Sequence, residues 1–369
     1  MVEKFENLSK KEDAEVLAAI DRMGNDLVTD IFLRQHPKIK IRQRGLSNVT
    51  FDEESNLLRL GNKQSARSFM NVAHSKRFMQ TLMIASKSKE FVNRGKTASI
   101  RELYYQLKHS IAGTKENTFE GQDESDPLIV DLEVSLGVLR EELHLKADDK
   151  GTLIGNIVLE DSGDMIDCSK LGRSGLAIPS IVEHYKFISA DADYILVIET
   201  GAMFDRLVEE KYHIKNRCIM VSTKGQAARG CRRLIHRMHT ELNLPVIVFT
   251  DGDPWGYYIY SVVKAGSMAL AHESERLGTP DAHFVGMTIT DVETYGLDSV
   301  TENLKKVDLE RIKQILAYPW FQKKQWRQEL ELMAKKGIRI EQQALASKSL
   351  EFVAEEYLPE KIGENKLLP

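Results

Sequence analysis

Two apolar strands that end in carboxylates constrain this chain more than any other feature. Residues 245–249 form one apolar run and are followed by Asp251-Gly252-Asp253, while the earlier run 194–198 is followed by Glu199. Continuous β-branched runs are typical of strands buried on both faces of a parallel sheet. Open α/β sheets place their chemistry just outside the carboxyl ends of such strands. We therefore expect these carboxylates to share one sheet edge.

A hard cation is the expected partner of this group. The carboxylates would repel one another and raise one another's pKa unless protons or a divalent ion neutralised them. Mg²⁺ takes oxygen ligands and keeps several waters, so a few carboxylates on rigid strand ends suit it. The alternative is an ordinary turn, because Asp-Gly is also common turn chemistry. Glu199, at the end of a second strand, favours the metal site.

The order of elements resembles the Toprim fold of topoisomerases, bacterial primases and some nucleases. Glu at one strand end, a βα unit, and Asp-x-Asp at a later strand end make up that pattern. The intervening and following sequence predicts an alternation of strands and helices, which is typical of a parallel sheet. The predicted elements are helix 202–213, strand 218–221, helix 225–240, helix 255–274 and strand 283–287.

A second motif surrounds a tyrosine. Ser99 and Glu102 form a capping box that predicts a helix running to about Ile111. Tyr104 falls on its apolar stripe, whereas Tyr105 falls on another face. That face also carries Arg101, Lys108 and His109, at positions three or four residues from Tyr105, and nearby cations favour a nucleophilic phenolate and a bound phosphate. The alternative is an exposed tyrosine on a basic helix that binds nucleic acid passively.

The elements around this helix predict a winged-helix domain that binds DNA. An amphipathic segment at 132–143 and a strand at 153–159 follow the tyrosine helix, in the order of a helix-turn-helix with a wing. Residues 87–108 hold six Lys or Arg against two acids, although the whole chain carries only −4. Such a local excess is the expected footprint of phosphate contacts, here from Arg94, Lys96, Lys108 and His109. A purely structural three-helix unit remains open.

Together, Arg101-Glu102-Leu103-Tyr104-Tyr105, Glu199 and the Asp251–Asp253 motif resemble the A subunits of archaeal type IIB topoisomerases and the related meiotic double-strand-break transesterases. The resemblance covers roughly residues 65–369. It implies that Tyr105 is the nucleophile, that Arg101 assists it, and that Glu199, Asp251 and Asp253 bind Mg²⁺. The family often carries Gly-Tyr-Pro-Asp where this chain has residues 225–228, so roles for Lys224, Arg229 and Arg232 stay open.

The resemblance also implies partners. They are double-stranded DNA, a second copy of the chain, and a B subunit with a GHKL-type ATPase in an A2B2 heterotetramer. Tyr105 of one protomer would then work with the acidic site of the other. No Gly-x-x-x-x-Gly-Lys-Ser/Thr motif occurs, so a P-loop ATPase is not encoded here. Two rival classes remain open: a Toprim nuclease that activates water, and a DNA-binding regulator that does not cleave.

The expected organisation is an N-terminal extension (1–68), a winged-helix domain (69–160) and a Toprim domain with C-terminal helices (161–369). The apolar positions of those C-terminal helices predict core packing, with a dimer contact as the alternative. Three cysteines without metal-ligand spacing, and no secretory signal, predict a reducing cytoplasm. No run approaches membrane-spanning length, so no membrane partner is expected.

Overall fold

Helices dominate the N-terminal part of the chain. The computed structural model describes the backbone of residues 2–369 and the side chains of residues 13–369. Met1–Thr50 and Leu60–Asp148 form one compact unit, and Phe51–Arg59 and Asp149–Pro369 form a second. The elements up to residue 146 are α1 (Val2–Phe32), β1 (Lys38–Arg42), β2 (Val49–Asp52), β3 (Leu57–Leu60), β4 (Gln64–Ser68), α2 (Val72–Arg94), β5 (Ala98–Ser99), α3 (Ile100–Leu107), α4 (Ser125–Leu136) and β6 (Leu145–Lys146).

The first unit has a core made by the apolar faces of α1 to α4. Leu103 of α3 and Ile129 of α4 are fully buried there, together with Phe119 from the loop between these helices. The short strands β5 and β6 pair in parallel, and β1 pairs with β4 in antiparallel fashion. The Asp131 carboxylate of α4 forms ion pairs with Arg44 at 2.8 Å and with Arg67 at 2.7 Å. This packing fixes α3, the helix that carries Tyr105.

The second unit is built on a mixed six-stranded sheet. Its elements are β7 (Thr152–Ile154), β8 (Ile157–Asp161), β9 (Asp164–Asp167), β10 (Leu176–Ala177), β11 (Lys186–Ala190), β12 (Tyr194–Ile198), α5 (Gly201–Glu209), α6 (Tyr212–Lys215), β13 (Cys218–Ser222), α7 (Arg229–Leu242), β14 (Val246–Phe249), α8 (Pro254–Ala265), α9 (Ser274–Leu277), β15 (His283–Gly286), α10 (Ile289–Thr294), β16 (Glu302–Asn303), α11 (Lys306–Leu316), α12 (Lys324–Lys336), β17 (Ile338–Arg339), a π-helix (Val353–Tyr357) and α13 (Leu358–Gly363).

The sheet order is β10-β7-β13-β12-β14-β15. Strands β13, β12, β14 and β15 are parallel, which confirms the alternation of strands and helices predicted from the sequence. All five residues of β12 are buried, as are all four of β14. Strands β7 and β10 extend the sheet in antiparallel fashion. The central strands β12 and β14 are neighbours, so their carboxyl ends lie side by side.

The prediction that residues 153–159 form one strand of a wing is wrong. Strand β7 pairs with β13 in the six-stranded sheet, and β8 belongs to a separate three-stranded sheet, β11-β8-β9. The break falls at Gly155, whose φ is 149° and where a Cβ would come within 2.8 Å of Ile219 Cα. Along the chain, one division between the two compact units falls between Asp148 and Asp149, and residues up to Thr50 belong to the first unit.

Three predicted helices differ in their limits. The helix predicted at 202–213 divides into α5 and α6, because Lys211 takes a left-handed conformation with φ 54°. The helix predicted at 225–240 begins only at Arg229, since the N–H of Gly225 donates to Glu199 O at 2.8 Å and holds the preceding loop at the sheet. The helix predicted at 255–274 ends at Ala265, before Gly266 with φ 94°.

The C-terminal helices pack mainly into the core, as predicted. Ile312, Ile315, Leu330 and Met333 are buried, whereas Leu309 is 38% exposed. The three cysteines are free and buried. Among the described residues, no helix is long and apolar enough to span a bilayer.

A buried ion pair anchors the C-terminal helix α13 to α10. Lys361 donates to Asp291 at 2.7 and 2.9 Å, and the Tyr357 hydroxyl donates to the same carboxylate at 2.7 Å. Both charged side chains are only 6% exposed. Removing one partner of such a pair leaves an uncompensated charge in the core.

We therefore expect Asp291→Asn to lower the free energy of unfolding of the second unit by about 3–5 kcal/mol, measured by urea denaturation. The control is Glu364→Gln, which removes an exposed partner of Lys366. That variant should change the free energy by less than about 1 kcal/mol. Similar losses for the two variants would contradict the role given to Asp291.

Candidate active site

The three predicted carboxylates lie at one edge of the sheet. Glu199 follows β12 and Asp251 follows β14, and the two strands are paired from Ile195 and Val246 to Ile198 and Phe249. The Glu199 carboxylate accepts a hydrogen bond from the backbone N–H of Asp251 at 3.0 Å. The structure thus brings the two strand ends together as the sequence predicts.

Asp253 has a second task at the same edge, since it caps α8. Its Oδ1 accepts hydrogen bonds from the N–H groups of Trp255 at 2.9 Å and Gly256 at 2.7 Å. Pro254, which has no N–H to satisfy, occupies the first position of the helix. A Cβ at Gly256 would lie 2.2 Å from Asp251 O, so the sequence Asp-Pro-Trp-Gly fixes the orientation of Asp253.

A C-terminal segment, residues 339–342, crosses this motif; we call it the strap. Ile340 exchanges two backbone hydrogen bonds with Gly252, at 2.8 and 3.1 Å. The N–H of Gln342 donates to Asp251 Oδ1 at 2.8 Å, and Arg339 Nη1 lies 3.7 Å from Asp253 Oδ2. A Cβ at Gly252 would meet Ile340 Cγ2 at 2.7 Å, so the glycine is required for this close approach.

Sequence reasoning missed the strap. Its residues are about ninety positions from the Asp251–Asp253 motif and match no short motif, so only the fold joins them. The one signal was the glycine, because an isolated Gly beside a strand indicates close backbone approach. The strap also brings Glu341, a fourth carboxylate whose charge acts on Glu199 and Asp251.

The carboxylates are hard to ionise as they stand. Loss of water on burial, followed by the charge of Asp251, raises the pKa of Glu199 to about 8. Burial also raises the pKa of Asp251 to about 6, and the charges of Asp253 and Glu341 add to that effect. The pKa of Asp253 is raised by burial too, and Arg339 opposes this shift. A cation at this edge would relieve both desolvation and repulsion.

The donor set suits a divalent ion. Each of the three carboxylates uses one oxygen for a backbone N–H, which orients the group and leaves its second oxygen for a cation. Across the part of the chain whose side chains are described, no three His, Cys, Asp or Glu side chains already lie close enough together to hold a metal ion. The three carboxylates nevertheless offer hard oxygen atoms, which are the ligands that Mg²⁺ prefers.

The tyrosine helix is capped as predicted. Ser99 Oγ accepts from the N–H of Glu102 at 3.1 Å, and Glu102 accepts from the N–H of Ser99 at 2.7 Å. Leu103, Tyr104 and Leu107 are buried, whereas Tyr105 is 61% exposed. The Arg101 guanidinium carbon lies 6.0 Å from the centre of the Tyr105 ring. Arg101 and Tyr105 therefore share one exposed helical face.

The predicted end of the helix is wrong, because α3 ends at Leu107 rather than near Ile111, with Lys108 as its C-cap and His109 beyond it. The Thr118 hydroxyl donates to Leu107 O at 2.6 Å and accepts a hydrogen bond from the His109 N–H at 3.0 Å. The chain therefore leaves the helix here and enters a short hairpin. Lys108 Nζ donates to the Tyr104 hydroxyl at 2.8 Å, which raises the pKa of Lys108. Arg101 lies over the Tyr105 ring, whereas the Lys108 ammonium is hydrogen-bonded to Tyr104 and affects Tyr105 through its charge.

The other basic residues fall into two groups. Arg94, the last residue of α2, is 65% exposed and pairs with Glu90 at 2.8 Å, while Lys96 is exposed just after the Gly95 cap. Lys224 is exposed in the loop after β13, next to Gly225, whose N–H donates to Glu199 O. In contrast, Arg229 and Arg232 both form ion pairs with the fully buried Glu273. These two guanidiniums therefore neutralise a buried charge in the core.

Family models match three consecutive parts of the chain. Residues 76–145 match the model for type IIB DNA topoisomerase. Residues 148–191 match the all-beta domain of the DNA topoisomerase VI alpha chain, and residues 194–362 match the Toprim domain of Spo11 and of the topoisomerase 6 A subunit. Fold and site therefore define a type IIB topoisomerase subunit with a Toprim domain.

Curated relatives agree over nearly the whole chain. Those from Pyrococcus horikoshii and Pyrococcus abyssi, each named as the A subunit of type 2 DNA topoisomerase 6, are 54% identical over 365 residues and cover 96% of both chains. The protein of the same name from Hyperthermus butylicus is 39% identical and covers 94% of both chains. The chain belongs to the topoisomerase VI A-subunit family, the DNA-cleaving and rejoining subunits of type IIB topoisomerases.

The raised pKa of Glu199 gives a prediction for the metal-free chain. Its folded-state pKa of about 8 lies above its ordinary value of 4.5, so the folded chain binds more protons than the unfolded chain in this window. Stability then falls as pH rises through the window. In chelator at about pH 8.5, we expect Glu199→Gln to raise the free energy of unfolding by roughly 1–3 kcal/mol.

At about pH 5, where Glu199 is protonated in the folded chain, the same substitution should have little effect. Urea denaturation at both pH values measures the difference. An equal effect at the two pH values would show that the Glu199 carboxylate does not titrate as described.

Proposed function

We propose that the chain cleaves DNA by transesterification, with the Tyr105 hydroxyl as the nucleophile. The Tyr105 oxygen bonds to phosphorus, and the bond from phosphorus to the DNA 3′ oxygen breaks. The phenol loses its proton and the leaving oxygen gains one, so the products are a 5′-phosphotyrosyl link and a 3′-hydroxyl. One ester replaces another, which lets the reverse reaction reseal the strand. The exposed Tyr105 beside Arg101 on a firmly packed helix carries this proposal.

Arg101 has the role of a phosphate ligand at the reacting centre. The guanidinium lies one helical turn before Tyr105, on the same exposed face. Negative charge develops on the non-bridging oxygens in the transition state, and a preorganised donor stabilises it. The buried neighbours Leu103, Tyr104 and Leu107 hold α3 so that both groups point outward together.

Glu199, Asp251 and Asp253 are the proposed Mg²⁺ ligands. When bound, the ion would neutralise the carboxylates and act as a Lewis acid for phosphate oxygens. The protein's contribution is orientation, because Asp251 N–H, Gln342 N–H and the start of α8 each fix one carboxylate. The Toprim carboxylates and Tyr105 belong to different compact units, consistent with the family's implied use of Tyr105 from one protomer and acids from the other.

We further propose that α2, α3 and α4 with the β5–β6 pair form a winged-helix domain that binds DNA. Arg94 and Lys96 present exposed charge at the end of α2 and in the loop that follows. Lys108 and His109 lie just beyond α3 and are exposed. Exposed lysines and arginines suit phosphate contacts.

The proposed assembly is an A2B2 heterotetramer: two copies of this chain and two GHKL-type ATPase B subunits, acting on double-stranded DNA. The relatives of this chain are named as A subunits. The absence of a P-loop motif in this chain is consistent with ATP hydrolysis by the B subunit. A dimer would cut both strands, and the ATPase would drive duplex passage through the break.

Tyr105→Phe should abolish covalent attachment of the chain to DNA and leave folding unchanged, because it removes one exposed hydroxyl. The matched control, Tyr104→Phe, removes the neighbouring buried hydroxyl and should keep attachment. The assay denatures the reaction of both subunits with DNA, ATP and Mg²⁺, and counts protein-linked DNA. Covalent complex from Tyr105→Phe would show that another residue is the nucleophile, and hydrolytic cleavage that persists in this variant would favour a Toprim nuclease.

Variants of Arg101 and of the pair Arg94 and Lys96 should distinguish an effect on cleavage from an effect on DNA binding. Arg101→Ala should reduce cleavage by about 10²-fold or more with a small change in duplex affinity. The double variant Arg94→Ala/Lys96→Ala should instead weaken duplex binding, and the slope of log K against log salt should become shallower by roughly one unit per lost contact. Equal losses of binding and cleavage for Arg101→Ala would reduce it to an ordinary phosphate contact.

A further inference from the structure

Arg339 places a positive charge at the acidic edge. Arg339 Nη1 lies 3.7 Å from Asp253 Oδ2, a distance at which charge acts but no good hydrogen bond forms. Both side chains are largely buried, with 17% and 14% exposure. Backbone pairing of Ile340 with Gly252 fixes the strap here, so the backbone of Arg339 is held next to the site.

A second carboxylate holds the guanidinium at this distance. Glu302 Oε2 accepts hydrogen bonds from Arg339 Nη2 at 2.5 Å and Nε at 3.1 Å. The two residues are direct cross-strand neighbours in the β16–β17 pair. Glu302 therefore takes two N–H groups of Arg339 and keeps the guanidinium from forming a close pair with Asp253.

We propose that Arg339 is a tethered counter-cation that lowers the divalent-ion affinity of the acidic edge, and that Glu302 limits this competition by holding Arg339 back. Both are positioning residues, and the inference rests on the proposed Mg²⁺ site at Glu199, Asp251 and Asp253. A fixed positive charge beside Asp253 stabilises the carboxylates when no ion is present and repels the ion that binds there.

The consequence is a site that binds Mg²⁺ weakly when DNA is absent. A DNA phosphate arriving at the edge adds negative charge and additional oxygen ligands, which offset the charge of Arg339. Ion binding and DNA binding then reinforce each other. This coupling would restrict the loaded state of the site to the DNA complex.

Mn²⁺ binding to the DNA-free full chain tests the proposal, because free Mn²⁺ gives an EPR signal that is lost on binding. Arg339→Gln should tighten Mn²⁺ binding by about tenfold at low salt, and less at high salt. Glu302→Gln should act in the opposite direction and weaken it several-fold, since the released guanidinium can close on Asp253. Arg339→Lys keeps the charge and should stay near the wild-type value.

The control for net charge is Lys335→Gln, which removes one positive charge from the exposed surface of α12. It should leave Mn²⁺ affinity within about twofold of the wild type. Weaker binding in Arg339→Gln, or no change in both Arg339→Gln and Glu302→Gln, would overturn the proposal. Asp251→Asn reports on the proposed metal site separately: if it binds Mn²⁺ like the wild type, that site is wrong whatever the Arg339 variants do.

Discussion

The hydrogen bond from the Asp251 N–H to the Glu199 carboxylate is the contact on which the acidic edge depends. It joins the ends of β12 and β14, whose buried residues fix the two strands in register. Three acids in one largely buried place cost free energy unless a cation joins them. The sheet core holds them there, so the edge keeps its geometry at the expense of metal-free stability.

The rest of the second unit supports that edge from distant parts of the sequence. The strap supplies a backbone N–H to Asp251, a positive charge to Asp253 and a further carboxylate, Glu341. Trp255 and Gly256 complete the cap that orients Asp253. The same three carboxylates are thus held by backbone N–H groups, while charged side chains around them adjust how strongly they attract a cation.

The sequence was sufficient wherever local chemistry determined structure. Buried strands 194–198 and 246–249 follow from their continuous apolar runs, and the Ser99–Glu102 cap follows from spacing alone. The end of α3 depended instead on Thr118, a residue brought back by a hairpin, whose hydroxyl donates to Leu107 O where the helix stops. The strap depended on a pairing across about ninety residues, which no local pattern encodes. Local periodicity cannot report contacts that only the folded chain makes.

The central claim is that Tyr105 forms the covalent link to DNA with the help of a metal on the acidic edge. Its most direct test is to map the nucleotide-bearing peptide by mass spectrometry after cleavage with both subunits, ATP and Mg²⁺, followed by denaturation and trypsin digestion. The account predicts one modified peptide, from Glu102 to Lys108, with the nucleotide on Tyr105 and none when chelator is present. A nucleotide on Tyr104 or on any other residue, or an adduct that forms equally well in chelator, would contradict it.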